Sequence, residues 1–121
     1  MANRIAHFEI TGRDGKALQR FYGDLFGWDI NADNPMDYGI IDPAQTGVGG
    51  GIATGPEGYP GHVTVYVEVP DVEAALARAE ELGGARMMGP EDVMPGLRIG
   101  LFTDPEGHVF GVLTNTGQPA S

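Results

Sequence analysis

The sequence predicts an α+β fold built from two successive modules, each with the order strand, helix, strand, strand, strand. Three observations predict it. An alternating strand pattern that contains His7 is repeated around His62, at the start of the second half. Each pattern is followed by an amphipathic helix, which begins at Asp14 in the first half and at Asp71 in the second. The 20 glycines and 9 prolines are spread along the 121 residues, which is typical of many short elements joined by turns.

The first module begins with a strand at residues 4–11, where side chains alternate between two faces. One face carries Ala6, Phe8 and Ile10, and the other carries Ile5, His7, Glu9 and Thr11. Asp14 then caps a helix that ends at Gly27. The apolar stripe of this helix consists of Leu18, Phe21, Tyr22, Leu25 and Phe26. Short strands are predicted at residues 28–31, 37–41 and 47–54.

The second module follows a turn-rich connector at residues 55–61. Its first strand, residues 62–69, has an apolar face of Val63, Val65, Val67 and Val69 opposite His62, Thr64, Tyr66 and Glu68. A helix begins at Asp71 and ends at Gly83 and Gly84. Further strands are predicted at residues 85–88, 97–103 and 108–114, and a turn at 104–107 joins the last two.

This organisation gives one domain, residues 1–121, with modules at about 1–55 and 61–116. The Pro- and Gly-rich residues 89–96 are interpreted either as a loop that closes over a ligand or as a surface connection. Trp28 and Met36 are predicted to pack in the core. Each opening strand fits its apolar face against a helix, which leaves the polar faces either in solvent or around a cavity.

The cavity interpretation is favoured because His, Tyr and Glu occupy matched positions in the two halves. Curved sheets would then line a polar and aromatic pocket. The predicted ligand-binding residues are His7, Glu9, Tyr38, His62 and Tyr66.

Charge and composition exclude several classes of function. A net charge of −10 would repel a phosphate backbone, so nucleic acid is not an expected partner. No apolar run is long enough to span a membrane. The chain has no cysteine and therefore no thiolate chemistry. The first residues do not have the pattern of a secretory leader, and a cytoplasmic protein is expected.

Several motifs resemble the vicinal oxygen chelate superfamily, which contains glyoxalases, bleomycin-resistance proteins and extradiol dioxygenases. They are His-Phe-Glu-Ile at residues 7–10, Phe-Tyr-Gly-Asp-Leu-Phe-Gly-Trp at 21–28, and Asp-Pro-Glu-Gly-His at 104–108. The resemblance covers nearly the whole chain. It implies paired βαβββ modules whose mixed sheets curl around a cup, a small-molecule ligand, and a homodimer.

The resemblance also implies a divalent metal, held by one ligand from the first strand and one from the last strand of each module. His7 and His62 match the first-strand positions, but Gly51 and Gly111 stand at the last-strand positions and offer no side-chain donor. Glu9 or Glu68 could supply a third ligand.

The expected function is therefore a metal-free pocket that binds a small molecule, as in bleomycin-resistance proteins. One alternative is a lyase, isomerase or dioxygenase that uses Zn, Ni, Fe or Mn on His7 and His62. Another is metal-free catalysis in which His7 or His62 acts as acid or base, because imidazole titrates near neutral pH. A structural or protein-interaction module is a further class.

Overall fold

The computed structural model describes residues 2–115, which form an α+β fold, as predicted. The elements, in order, are β1 (Ile5–Gly12), α1 (Gly15–Phe26), β2 (Gly39–Ile41), α2 (Pro43–Thr46), β3 (Gly50–Thr54), β4 (His62–Glu68), α3 (Val72–Glu81), β5 (Ala85–Met94), β6 (Leu97–Thr103) and β7 (Val109–Asn115). The chain forms two compact units. The first unit is Ala6–Thr64, and the second unit begins at Val65 and includes the N-terminal residues up to Ile5.

In the first unit, β3 pairs in parallel with β1 and antiparallel with β2. The α1 helix begins where the Asp14 carboxylate accepts a hydrogen bond from the Ala17 backbone N–H, and it ends at Gly27, which has a left-handed φ of 70°. Both ends therefore lie where the sequence predicts them. The core of the unit contains Ile10, Ile41 and Ile52, with Phe8, Leu18, Tyr22, Trp28 and Ile30 packed against it.

Some predictions for the first unit are wrong. Residues 28–31 are not a strand, because only Asn31 pairs, in an isolated bridge with Ile40, while Trp28 and Ile30 direct their side chains to the core. The core position of Trp28 is confirmed, but Met36 is 81% exposed. Alternation and apolar character alone cannot show whether a neighbouring segment covers a side chain.

The second unit has the order β4-β7-β6-β5, in which only the β4–β7 pair is parallel. Asp71 caps α3 by accepting a hydrogen bond from Ala74. The buried core consists of Val72, Leu76 and Val112. The predicted turn at 104–107 joins β6 and β7, because the Asp104 carboxylate accepts a hydrogen bond from the His108 backbone N–H at 3.0 Å. In the described residues no helix is both long and apolar enough to cross a membrane.

The predicted loop at residues 89–96 is wrong. The β5 strand continues to Met94, and its pairing with β6 includes Glu91 opposite Ile99 and Met94 opposite Leu97. The register shifts between Met88 and Glu91, and this irregularity contains the Gly-Pro pair that had indicated a loop. The predicted apolar face of β4 is also wrong at Val63, which is 74% exposed.

Candidate functional site

Titratable and aromatic side chains of the first unit join in one hydrogen-bonded group, which we call the Glu9 network. Its members are His7, Glu9, Tyr38, Tyr59 and His62. His7 and Glu9 lie two positions apart in β1 and therefore share a face. His62 is the first residue of β4, Tyr38 directly precedes β2, and Tyr59 lies in the connector at 55–61.

Glu9 is at the centre of this network. Its Oε1 lies 2.8 Å from His62 Nε2, and its Oε2 accepts a hydrogen bond of 3.0 Å from the Tyr38 hydroxyl. Beyond these contacts, Tyr38 Oη lies 2.9 Å from His7 Nε2, and Tyr59 Oη lies 2.7 Å from His62 Nδ1. The side chains of His62 and Glu9 are only 8% and 15% exposed, so these hydrogen bonds are largely shielded from water.

The chemistry of the groups determines the direction of the hydrogen bonds. An ionised Glu9 carboxylate can only accept, so His62 Nε2 must carry the hydrogen between them. Tyr38 has one hydroxyl hydrogen and donates it to Glu9. The His7 Nε2 atom must then be the donor to Tyr38 Oη. Both imidazole Nε2 atoms are therefore protonated donors, and neither offers a lone pair to a metal in this arrangement.

The electrostatic surroundings agree with this assignment at the two ends of the network. Burial lowers the pKa of His7 below its ordinary range, and the nearby Glu9 charge opposes this effect only in part. His7 is therefore neutral at pH 7. Burial, followed by the charge of Glu9, raises the pKa of Tyr59, which keeps its hydroxyl protonated.

Tyrosine rings occupy the space beside both glycines at the last-strand positions. In β3, a Cβ at Gly51 would overlap the ring and hydroxyl of Tyr38. In β7, a Cβ at Gly111 would overlap the ring of Tyr66. Each unit thus has a tyrosine ring where the resemblance implies a carboxylate ligand.

The donor set does not fit the metal site that the resemblance implies. Two of its expected positions are glycines, and at the other two the Nε2 atoms of His7 and His62 are hydrogen-bonded to Tyr38 and Glu9. Within residues 2–115 no group of at least three His, Cys, Asp or Glu side chains is arranged to hold an ion.

The structure brings most of the predicted site residues together. His7, Glu9, Tyr38 and His62 belong to the Glu9 network. Two others lie in the second unit, where Tyr66 is buried beside Gly111, and Glu68 forms a 2.8 Å ion pair with Arg4.

Sequence reasoning missed Tyr59 because it lies in a connector without strand or helix periodicity. Its only signal was an aromatic residue three positions before His62, within a segment otherwise made of Gly, Pro and Glu.

Two cavities in the second unit have volumes of about 710 and 420 Å³, and no residue of the Glu9 network lines either of them. The larger is lined by Asp71, Asp92 and Arg98 together with apolar residues of the β5–β6 turn. Arg98 and Asp92 are exposed and form an ion pair, with Arg98 Nε 2.8 Å from the Asp92 carboxylate. The Glu9 network, with its shielded titratable groups, is therefore the candidate functional site.

Comparison with known proteins agrees with the fold. A family described as "Glyoxalase-like domain" matches residues 7–113. The candidate glyoxylase CFP32 of Mycobacterium bovis is 32% identical over 112 residues, which is 86% of this chain and 42% of that protein. The anthracycline biosynthesis protein DnrV of Streptomyces peucetius is 29% identical over 88% of this chain and 45% of its own length. The chain thus spans less than half the length of these relatives.

Solved structures show the same fold at low identity. Methylmalonyl-CoA epimerase of Streptomyces coelicolor aligns over 100% of both chains with a TM-score of 0.66 and 18% identity. A glyoxalase/bleomycin resistance protein/dioxygenase superfamily member from Vibrio splendidus aligns over 93% of this chain and 98% of its own, with a TM-score of 0.62 and 18% identity.

Proposed function

This chain belongs to the glyoxalase-like domain family, and from that premise we propose that it binds a small organic molecule through hydrogen-bonding side chains rather than through a divalent metal. The membership confirms the resemblance to the vicinal oxygen chelate superfamily that the motifs at residues 7–10, 21–28 and 104–108 indicated. It does not by itself name a ligand, because the superfamily is chemically diverse.

The observation that carries the proposal is the position of Tyr38. Its ring fills the space that a side chain at Gly51 would need, and its hydroxyl engages the Nε2 atom of His7. Tyr38 thus fills the space at one expected ligand position, Gly51, and forms a hydrogen bond with the side chain at another, His7. Turning His7 towards a metal would break the His7–Tyr38 hydrogen bond, and turning His62 would break its hydrogen bond to the largely shielded Glu9 carboxylate.

The names of the curated relatives support a small-molecule ligand. One is named as a candidate glyoxylase and another as an anthracycline biosynthesis protein, and both names refer to the chemistry of small molecules. A homodimer and a cytoplasmic location remain predictions from the resemblance and from the sequence.

A second candidate function is metal-free proton transfer. It is favoured by the neutral state of His7, which gives an imidazole able to exchange protons near neutral pH. Methylmalonyl-CoA, a ligand in one of the solved neighbours, is a suitable first probe. Exchange of its α-hydrogen in D₂O, abolished by His7→Gln, would favour catalysis over simple binding.

Metal content tests the main proposal directly. The protein would be purified without chelator and without a metal-affinity tag, and Zn, Ni, Fe and Mn would be measured by mass spectrometry. We expect far less than one ion per chain. Each metal would then be added alone and the free energy of unfolding measured again. A specific ligand at 100 times its Kd stabilises a folded protein by about 2.7 kcal/mol.

The controls are His7→Ala and His62→Ala, compared with His108→Ala, whose side chain is exposed and paired with Asp104. A stoichiometric metal that is lost in the first two variants and retained in the third would overturn the proposal. That result would instead support the metal-dependent lyase, isomerase or dioxygenase.

A further inference from the structure

Tyr59 is the outermost member of the Glu9 network, which it joins through the imidazole of His62. Because His62 Nε2 donates to Glu9, a neutral His62 has its lone pair on Nδ1. The Tyr59 hydroxyl lies 2.7 Å from this atom and is the matching donor. The two rings also meet edge to face, with centroids 5.5 Å apart. Tyr59 therefore contacts His62 on the side opposite Glu9.

The connector that carries Tyr59 is fastened to the end of β1. The Gly55 backbone N–H donates to the Gly12 carbonyl at 2.9 Å, and the His62 backbone N–H donates to Thr11 Oγ1 at 3.2 Å. Gly61 has a left-handed φ of 103°, and a Cβ there would overlap the Thr11 carbonyl. The connector is therefore held against β1 at both ends.

Between these attachments the connector makes a turn that sets the direction of the Tyr59 side chain. The Tyr59 backbone N–H donates to the Pro56 carbonyl at 3.0 Å, and Gly58 has a left-handed φ of 83°. A tyrosine on a freely moving loop could not keep a hydrogen bond to His62 Nδ1. The backbone around Tyr59, however, is hydrogen-bonded to β1 on either side.

We propose that Tyr59 is a positioning residue that fixes His62 in the tautomer with hydrogen on Nε2 and thereby directs that hydrogen to Glu9. Without the hydroxyl, Nδ1 loses its donor, and the imidazole can exchange tautomer or turn. The Glu9 carboxylate then loses one of its donors, and the effect passes through Glu9 to Tyr38. The connector thus becomes part of the binding site rather than a spacer between modules.

This inference rests on the residues of the proposed function, but it can be tested without any ligand. Long-range ¹H–¹⁵N NMR spectra of the imidazole nitrogens at pH 8 report which nitrogen of each histidine carries hydrogen. For the wild type we expect protonated Nε2 and unprotonated, hydrogen-bonded Nδ1 on His62. In Tyr59→Phe we expect partial loss of the Nε2–H tautomer, so the Nδ1 signal should move upfield, towards that of a protonated nitrogen.

Tyr22→Phe is the matched control, because Tyr22 packs against Phe26 and Trp28 and does not contact His62 in the structure. It should leave both His62 signals unchanged. A wild-type His62 with hydrogen on Nδ1, or a Tyr59→Phe variant with unaltered His62 signals, would overturn the inference. The wild-type spectrum decides the tautomer even if Tyr59→Phe folds poorly, and neither result changes the outcome of the metal analysis.

Discussion

Gly51→Ala tests the relation between the glycine in β3 and the tyrosine beside it. The added methyl group would overlap the ring of Tyr38, so the ring must move away. The flexible side chain can move more easily than the paired backbone of β3, which lies between β1 and β2. The substitution should therefore displace Tyr38 and leave the sheet in place.

The expected cost follows from the contacts that Tyr38 would lose. Its hydrogen bond to the charged Glu9 is worth about 1.5–3 kcal/mol, and its neutral hydrogen bond with His7 is worth about 0.5–1.5 kcal/mol. Gly51→Ala should lower the free energy of unfolding by about 2–4.5 kcal/mol.

Urea denaturation of a double-mutant cycle with Tyr38→Ala measures this effect. With the ring removed, the methyl group of Gly51→Ala has space, and the second substitution should cost little. Gly23→Ala is a matched control in α1. A Cβ at Gly23 meets its neighbours at ordinary distances of 3.4 Å or more, and higher helix propensity should stabilise the protein by about 0.5–1 kcal/mol.

Tyr38 would not be the cause of the destabilisation if Gly51→Ala lowered the free energy of unfolding as much in the Tyr38→Ala protein as in the wild type. The destabilisation would then arise from the strand itself and not from the tyrosine. A stable Gly51→Ala protein would show that Tyr38 does not occupy this space.

Two further predictions concern pH and helix capping. The pKa of His7 is lower in the folded protein, so the unfolded chain binds the His7 proton more readily. The free energy of unfolding should therefore fall as pH decreases below about 6.5, and it should level off below the pKa of folded His7. His7→Gln, which keeps an N–H donor, should lose this part of the slope in urea denaturation between pH 5 and 8, and an unchanged slope would contradict the assignment. Asp14→Ala should destabilise the protein by about 1 kcal/mol, because the cap of α1 is lost. Asp24→Ala, at an exposed position of α1, is the control and should have a much smaller effect. Thermal denaturation of both variants measures the difference. Equal effects of the two substitutions would argue against the cap.

Much of the candidate site was visible in the sequence, but its connections were not. The period-2 pattern put His7 and Glu9 on one strand face, and the repeat aligned His62 with His7. The same repeat showed that Gly51 and Gly111 lack donor side chains. These are local properties of the chain, because side-chain alternation and glycine's missing Cβ do not depend on distant segments.

Only the tertiary structure decided how these residues are used. Tyr38 meets His7 across 31 positions of sequence, and His62 meets Glu9 across 53. Such contacts depend on strand register and loop packing, which no local pattern encodes. Tyr59 was not predicted as a site residue for the same reason, because its contact with His62 depends on the packing of the connector.

The sequence by itself therefore determined the α+β class, the helix caps, the hairpin at 104–107 and the loss of carboxylate donors, because each depends on residues close together in the chain. The tertiary structure decided that tyrosine rings occupy the space beside the two glycines and that the hydrogen bonds converge on Glu9. Because an ionised carboxylate can only accept hydrogen bonds, the position of Glu9 between Tyr38 and His62 determines the direction of the other hydrogen bonds in the network.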